Sequence, residues 1–452
     1  MNIYIYALFL ALVIGLLSEI IRFFIPILKK YHIPRAFIGG IIALVLGPEL
    51  IGSFSGFNII TEKILNPWSE MSLFLVNVIF ACIFLGTNIP NFKKIFRLTI
   101  PQASLGQALA WGQYAIGCLV TYFILIPFFN MDEEVASLIE ISFQGGIGVA
   151  VGMKDTFDKL GVPELSNIAL GLAPTAMLIG ILSGIVLINI IHKRVPDNKS
   201  SNEVDELHTK IVEGNSEKKN LTSFSKILIT HLAIIGISIF FGKLILDGLT
   251  FIEQKFLIGN FYEEGFIEYI PLFPMAMLGG TIIQVFLDKV LKRQLLDVNL
   301  IKKIQSLALD LVIIMAIGNI SLSSLSDNFG VFILLLTAGF IWNLSAFLFL
   351  YKKLLPTYQF ERGIADYGQS MGTTSIGLML FNIVDPNNTS QGKEAFGFKQ
   401  LLFEPFVGGG IITGIAPILI SRLGLIPFFI ISVVICAIFI GIGLYMKKYK
   451  TS

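Results

Sequence analysis

Glu140, Asp310, Asp366 and Glu404 are carboxylates inside apolar stretches of the chain. An ionisable group at membrane depth is costly, so each marks an ion or substrate path by default. Uncharged oxygens gather near two of them. Ser142 and Gln144 lead into "GGIGVAVG" (145–152), and Gln369, Ser370, Thr373, Thr374 and Ser375 fall within "GQSMGTTSIG" (368–377). Thr87, Asn88, Asn319 and Thr413 supply further hydroxyls and amides in other apolar runs. Such oxygens, with backbone carbonyls freed where a helix breaks, suit a hard cation. The opposing reading is bland: a lone Ser or Thr in a helix often bonds its own backbone. Catalysis and metal binding have no visible seat. There is no P-loop, Cys82, Cys118 and Cys436 lie in separate apolar runs, and His32, His192, His208 and His231 make no ligand pair. No catalytic residue, metal centre or cofactor is expected, and no nucleic-acid partner.

The elements that carry these residues must be membrane helices. Only 14% of the 452 residues are charged and 54% are hydrophobic, against about 25% charged in a soluble domain. Apolar runs of spanning length fall near 3–25, 33–52, 71–89, 98–128, 164–191, 227–246, 266–287, 304–320, 329–351, 397–421 and 423–446. The first reads as a retained span, since it lacks a basic lead and a small-residue cleavage site. Basic residues collect in alternate loops, at Lys29–Arg35, Lys93–Arg97, Lys193–Lys219, Lys289–Lys303 and Lys352–Arg362, and in the tail at Lys447–Lys450. By the positive-inside rule the N-terminus is outside and the C-terminus cytoplasmic. This alternation holds only if the Gly-rich segments near 135–153 and 363–384 do not cross but dip in as re-entrant hairpins from opposite sides. Within the spans, Glu19 is expected to pair with Arg22, and Lys399 to snorkel to the cytoplasmic interface.

The halves share signatures in one order. "IPRAFIGG" (33–40) parallels "IPLFPMAMLGG" (270–280), and "FACIFLGTNI" (80–89) parallels "IIMAIGNISL" (313–322). The two Gly-rich segments correspond, and each is followed by a proline-bearing span, at Pro174 and Pro405. An odd number of crossings per half inverts the second. The fold class is therefore an all-α polytopic membrane protein. It is an inverted-topology repeat of about 5+5 transmembrane helices, each half with a Gly-rich re-entrant hairpin, plus one extra C-terminal helix. Residues 1–191 form the first repeat, 192–226 a cytoplasmic linker, 227–421 the inverted repeat and 422–452 the added helix and tail. Inverted repeats with interrupted helices are the architecture of secondary transporters, and half-helix N-termini suit anions. The substrate is then a small anion at Gln144, Gly145, Gly146, Gly148, Gln369, Ser370, Gly372, Thr373 and Thr374. Na+ is assigned to Thr87, Asn88, Ser142, Asp310, Asn319, Asp366, Ser375, Glu404 and Thr413. Proton coupling through Glu140, Asp310, Asp366 or Glu404 is the alternative within carriers; a channel or embedded receptor is the alternative outside them.

"KKYHIPRAFIGGIIAL", "FACIFLGTNIPNFKK", "GGIGVAVG", "GQSMGTTSIG" and "FEPFVGGGIITG" together resemble the sodium/glutamate symporter family of bacterial inner membranes, over roughly residues 20–421. The resemblance implies a homodimer, a scaffold with a mobile transport body, and uptake of glutamate coupled to sodium. It carries Gly145, Gly146 and Gly148 onto the family's first motif and Gly368, Gly372 and Thr374 onto its second. Three positions depart: Ile147 stands for a histidine, Ala365-Asp366-Tyr367 for Gly-His-Cys, and Thr413 near an acid.

Overall fold

The computed structural model describes residues 2–56, 59–87, 92–191, 221–258, 265–291 and 295–450. Asn88 and most of the expected linker, 192–220, lie outside them. The described residues are helical and form no β-strand. Nine helical stretches among them are long and apolar enough to cross a membrane: Ile3–Phe24, Arg35–Gly52, Glu62–Cys82, Thr99–Phe129, Glu164–Ile191, Ser225–Leu257, Leu272–Val290, Phe329–Leu354 and Leu425–Lys448.

Three helices come first: α1 (Ile3–Phe24), α2 (Arg35–Val45) and α3 (Glu62–Cys82). The long α4 (Phe92–Val120) precedes a broken segment, whose pieces are α5 (Leu138–Ser142) and α6 (Gly146–Gly152), and then α7 (Glu164–Ile191). The second half runs α8 (Leu221–Ile252), α9 (Leu272–Phe286), α10 (Val298–Gly318) and α11 (Phe329–Leu354). A second broken segment, α12 (Gln359–Ser370) and α13 (Thr374–Val384), precedes α14 (Gly392–Phe403), α15 (Ile411–Leu423) and α16 (Leu425–Lys450).

Two of the expected spans differ from the other nine. The eighth, α10, is 21 residues long but carries Lys302, Lys303 and Asp310. The tenth, expected over 397–421 as one helix, is broken between α14 and α15. Gly408 and Gly409 sit at φ +90° and +111°, which an α-helix cannot contain. The freed carbonyls of Pro405 and Phe406 are taken by Ile411 N and Ile412 N at 2.9 and 2.8 Å. α7, the span that aligns with it in sequence, runs unbroken through Pro174.

Packing sorts the helices into two neighbourhoods. In one, α2 and α3 pack on α10, α9 packs on α3, and α1 and α8 flank them. The Gly-Gly pairs sit in these contacts. A Cβ on Gly40 would stand 2.6 Å from Ile317 Cβ, and one on Gly280 would strike the Ala81 carbonyl. In the other, α4 packs against α11, α12, α14 and α16, and α7 packs against both broken segments. α6 bridges the two neighbourhoods through α3 and α10.

Candidate functional site

Both Gly-rich segments are helix–break–helix elements. The first breaks at Phe143-Gln144-Gly145 and the second at Met371-Gly372-Thr373. In the second, the two arms fold back on each other: a Cβ on Gly368 would lie 2.9 Å from Gly377 Cα. The two breaks meet. Gly146 holds φ +71°, and a Cβ there would stand 2.6 Å from the Gly372 carbonyl and 3.1 Å from Thr373 Cγ2. Glycine is required twice over, by its backbone conformation and by the close approach.

A buried polar cluster lies on each side of this junction. Beside the first break, Tyr114 Oη on α4 donates to Glu140 Oε2 at 2.6 Å. Thr413 Oγ1 on α15 and the Gly408 amide donate to Glu140 Oε1 at 3.0 and 2.9 Å. The Gly408 and Gly409 amides also reach Thr413 Oγ1, at 3.0 and 3.1 Å. The unwound glycines thus do in the fold what they cannot do in a helix: they present backbone amides to a carboxyl group, from Gly408, and to a hydroxyl, from both. Gln144 lies against Gly408, and its buried Oε1 has no hydrogen-bond partner among the described residues.

The second cluster is a chain of contacts along α12, α14 and α13. Lys399 Nζ bonds Asp366 Oδ1 at 2.6 Å and donates to Gln369 Oε1. Gln369 Nε2 donates to Gln400 Oε1 at 3.1 Å, Gln400 Nε2 to Thr374 Oγ1 at 2.7 Å, and Thr374 Oγ1 to Glu404 Oε1 at 3.4 Å. From α4, Gln102 Nε2 reaches Asp366 Oδ2 at 2.5 Å, and Gln113 Nε2 reaches the Ser370 carbonyl at 2.8 Å and Asn343 Oδ1 at 2.9 Å.

The fold therefore brings together Gln144, Gly145, Gly146, Asp366, Gln369, Ser370, Gly372, Thr373, Thr374, Glu404 and Thr413, around the two breaks and their neighbours. Ser142 lies near, its hydroxyl on the Ala169 carbonyl at 3.3 Å. A Cβ on Gly148 would meet open space, and Ser375 is exposed. Other members of the expected set sit elsewhere. Asp310 bonds Arg35 at 2.9 Å, and Arg35 also lies 3.8 Å from Glu19. Thr87 Oγ1 donates to the Phe84 carbonyl at 2.6 Å, and Asn319 Nδ2 to the Met315 carbonyl at 2.9 Å, each bonding its own segment. Asn88 lies outside the described residues. Lys399 does not snorkel: its side chain is 3% exposed, because Asp366 holds the charge that water would otherwise solvate. Tyr114, Gln102, Gln113 and Gln400 are the residues that the sequence reading missed. Their signal was present as amides and a phenol within apolar runs.

Among the described residues no group of three or more His, Cys, Asp or Glu side chains could hold a metal ion. No curated protein matches the chain. A family model described as the sodium/glutamate symporter matches residues 1–379. That match takes in α1, both breaks and the junction between them, and it ends within α13, short of α14, α15 and α16. On a match of that extent, together with a polytopic helical fold, the chain belongs to the sodium/glutamate symporter family.

Proposed function

We propose that this protein is a sodium-coupled symporter for glutamate or a closely related small anion, working by alternating access at the meeting point of its two broken segments. One observation carries the reading: Gly146 and Gly372 touch, and a buried polar cluster flanks the contact on each side. Two interrupted helices meeting amid buried polar groups give one site that either face can expose in turn. Substrate is bound by the amides and side chains of Gln144, Gly145, Gly146, Gly148, Gln369, Ser370, Gly372, Thr373 and Thr374. Coupling sodium is bound where a carboxyl and a hydroxyl oxygen meet, at Glu140 with Thr413 on one side of the junction or at Glu404 with Thr374 on the other.

The packing supports an inverted repeat. α2 lies on α10 while its counterpart α9 lies on α3, so each repeat's Gly-Gly helix packs on the other repeat's third helix. The hairpins exchange partners in the same way. Gly180 of α7 meets Met371 of the second, and Gly408 meets Gln144 of the first. We read the neighbourhood of α1–α3 and α8–α10 as a scaffold and the other as the moving body. A homodimer in a bacterial inner membrane, N-terminus outside, completes the proposal.

The test is uptake of labelled L-glutamate into proteoliposomes. Concentrative uptake should require an inward sodium gradient and vanish when choline replaces sodium. Undiminished uptake driven by a pH gradient alone would replace sodium by protons, and its absence under every gradient would end the glutamate assignment.

A further inference from the structure

Lys399 and Asp366 form an ion pair whose side chains are 3% and 0% exposed. Three elements build its cage. α12 gives Asp366 and Gln369, α14 gives Lys399 and Phe396, and α4 gives Gln102 and Gly106. The ammonium touches the oxygens of Asp366 and Gln369 and lies 4.6 Å from the centre of the Phe396 ring. Gly106 leaves the room: a Cβ there would stand 2.8 Å from Nζ and 3.2 Å from Asp366 Oδ1. A carboxylate and an amide oxygen facing one small cation, in a segment already interrupted at its tip, is a ligand set sodium also takes. Here a side chain brings the cation. Arg362 stands close enough to act on the Asp366 carboxylate, and its Nε donates to Gln102 Oε1 at 3.2 Å. Removing the lysine would take away the cation in contact with the buried Asp366 carboxylate, a place that a bound cation could fill.

We propose that the Lys399 ammonium is a tethered cation that occupies a potential sodium site at Asp366 and Gln369, so that this chain binds one sodium ion fewer than a protein with that site open. The pair belongs to the proposed moving body, and the lysine travels with it as a fixed charge instead of being exchanged in each cycle.

The experiment compares full-length wild type, Lys399→Ala and the double variant Lys399→Ala/Asp366→Asn, each purified in detergent. Melting temperature is read in sodium chloride and in choline chloride at equal ionic strength. Binding to the native state raises its stability by mass action. The sodium-over-choline increment should therefore be larger in Lys399→Ala than in wild type and return to the wild-type value in the double variant. An equal increment in all three, or one that persists without Asp366, overturns the proposal. Lys399→Gln, closer in volume, carries the same comparison if the alanine variant aggregates. Aggregation of both in either salt makes the pair a structural brace and also overturns it. In proteoliposomes, the Hill slope of uptake against sodium should rise by about one in Lys399→Ala; an unchanged slope with uptake retained overturns the coupling role. Only this transport arm rests on the sodium coupling proposed above. A wild type with no sodium-driven uptake would sink that proposal, while a sodium-specific gain in Lys399→Ala would still support this one.

Discussion

Gly146 bears the heaviest demand of any single residue in the site. Its φ of +71° lies in the left-handed region, and the Gly372 carbonyl stands where a Cβ would go. A non-glycine residue held in that region costs about 1–3 kcal/mol before any clash is counted. Gly146→Ala should therefore force the two breaks apart. We expect uptake to fall to background while expression and the size-exclusion profile stay normal, measured with Gly236→Ala alongside, since a methyl there, away from the site, meets open space. Full transport by Gly146→Ala would show that the contact is ordinary packing. Glu140 shows how the surroundings of one group are set by distant chain. Its partners Tyr114, Gly408 and Thr413 lie on two other segments, α4 and the broken α14–α15 span, and Thr413 lies near the place where the family resemblance leads one to expect an acid. In this protein a hydroxyl from Thr413 meets the acid of Glu140 instead.

Among the elements, the turn after α13 fixes where the second broken segment ends. Asp385 takes the Thr389 and Ser390 amides, both at 2.8 Å, and the Thr389 hydroxyl at 3.0 Å. Burial pushes this carboxyl upward, but the hydrogen bonds from Ser390 and Thr389 together outweigh it and hold the group below the usual carboxylate range. A carboxyl with a depressed folded pKa stabilises fully above its ordinary pKa, and loses that contribution as pH falls through the folded value. Asp385→Asn should thus lower the melting temperature at neutral pH and shrink the difference from wild type in acid. A difference that holds constant down to strongly acidic pH would mean that the charge does not secure the turn. The broken span carries the same lesson in another form. With its three glycines, α14–α15 trades helical continuity for amides aimed at Glu140 and Thr413, while α7 keeps its helix through Pro174.

For the molecule as a whole, alternating access makes a directional claim. Cysteines would be placed singly at Ser142 and Ser375 in a background without Cys82, Cys118 and Cys436. Ser142 is buried and Ser375 exposed in this structure. A bulky, impermeant thiol reagent should label position 375 faster from the cytoplasmic side in the absence of ligand, with position 142 favoured from outside. Sodium and glutamate together should slow both. Equal rates from outside, unprotected by ligand, would require a different topology. α16 packs along α4 and also touches α11 and α15, so under the proposed mechanism it should travel with the proposed moving body rather than anchor it.

The sequence by itself determined the class of molecule, because apolar length and scarce charge leave a helix few alternatives in lipid. It also located both interruptions, at "FQGGIG" and "SMGTTS", since clustered glycine and hydroxyl residues weaken a helix locally wherever it lies. The Gly-Gly pairs at 39–40 and 279–280 were legible as matching signatures, and each lies inside an unbroken helix where another segment packs closely. Partnership was not legible. Asp310 and Asp366 look alike in one dimension, yet one meets Arg35 near the surface and the other Lys399 in the interior. Lys399 read as a snorkelling lysine because its stem is apolar and its acid lies 33 residues away in the chain. Nor does any local pattern join Gly146 to Gly372, or Thr413 to Glu140 across 273 residues. Local propensity acts through the backbone within a few residues, whereas desolvation and charge pairing depend on which helix is adjacent. That choice belongs to the packing of the whole chain, and only the tertiary structure made it.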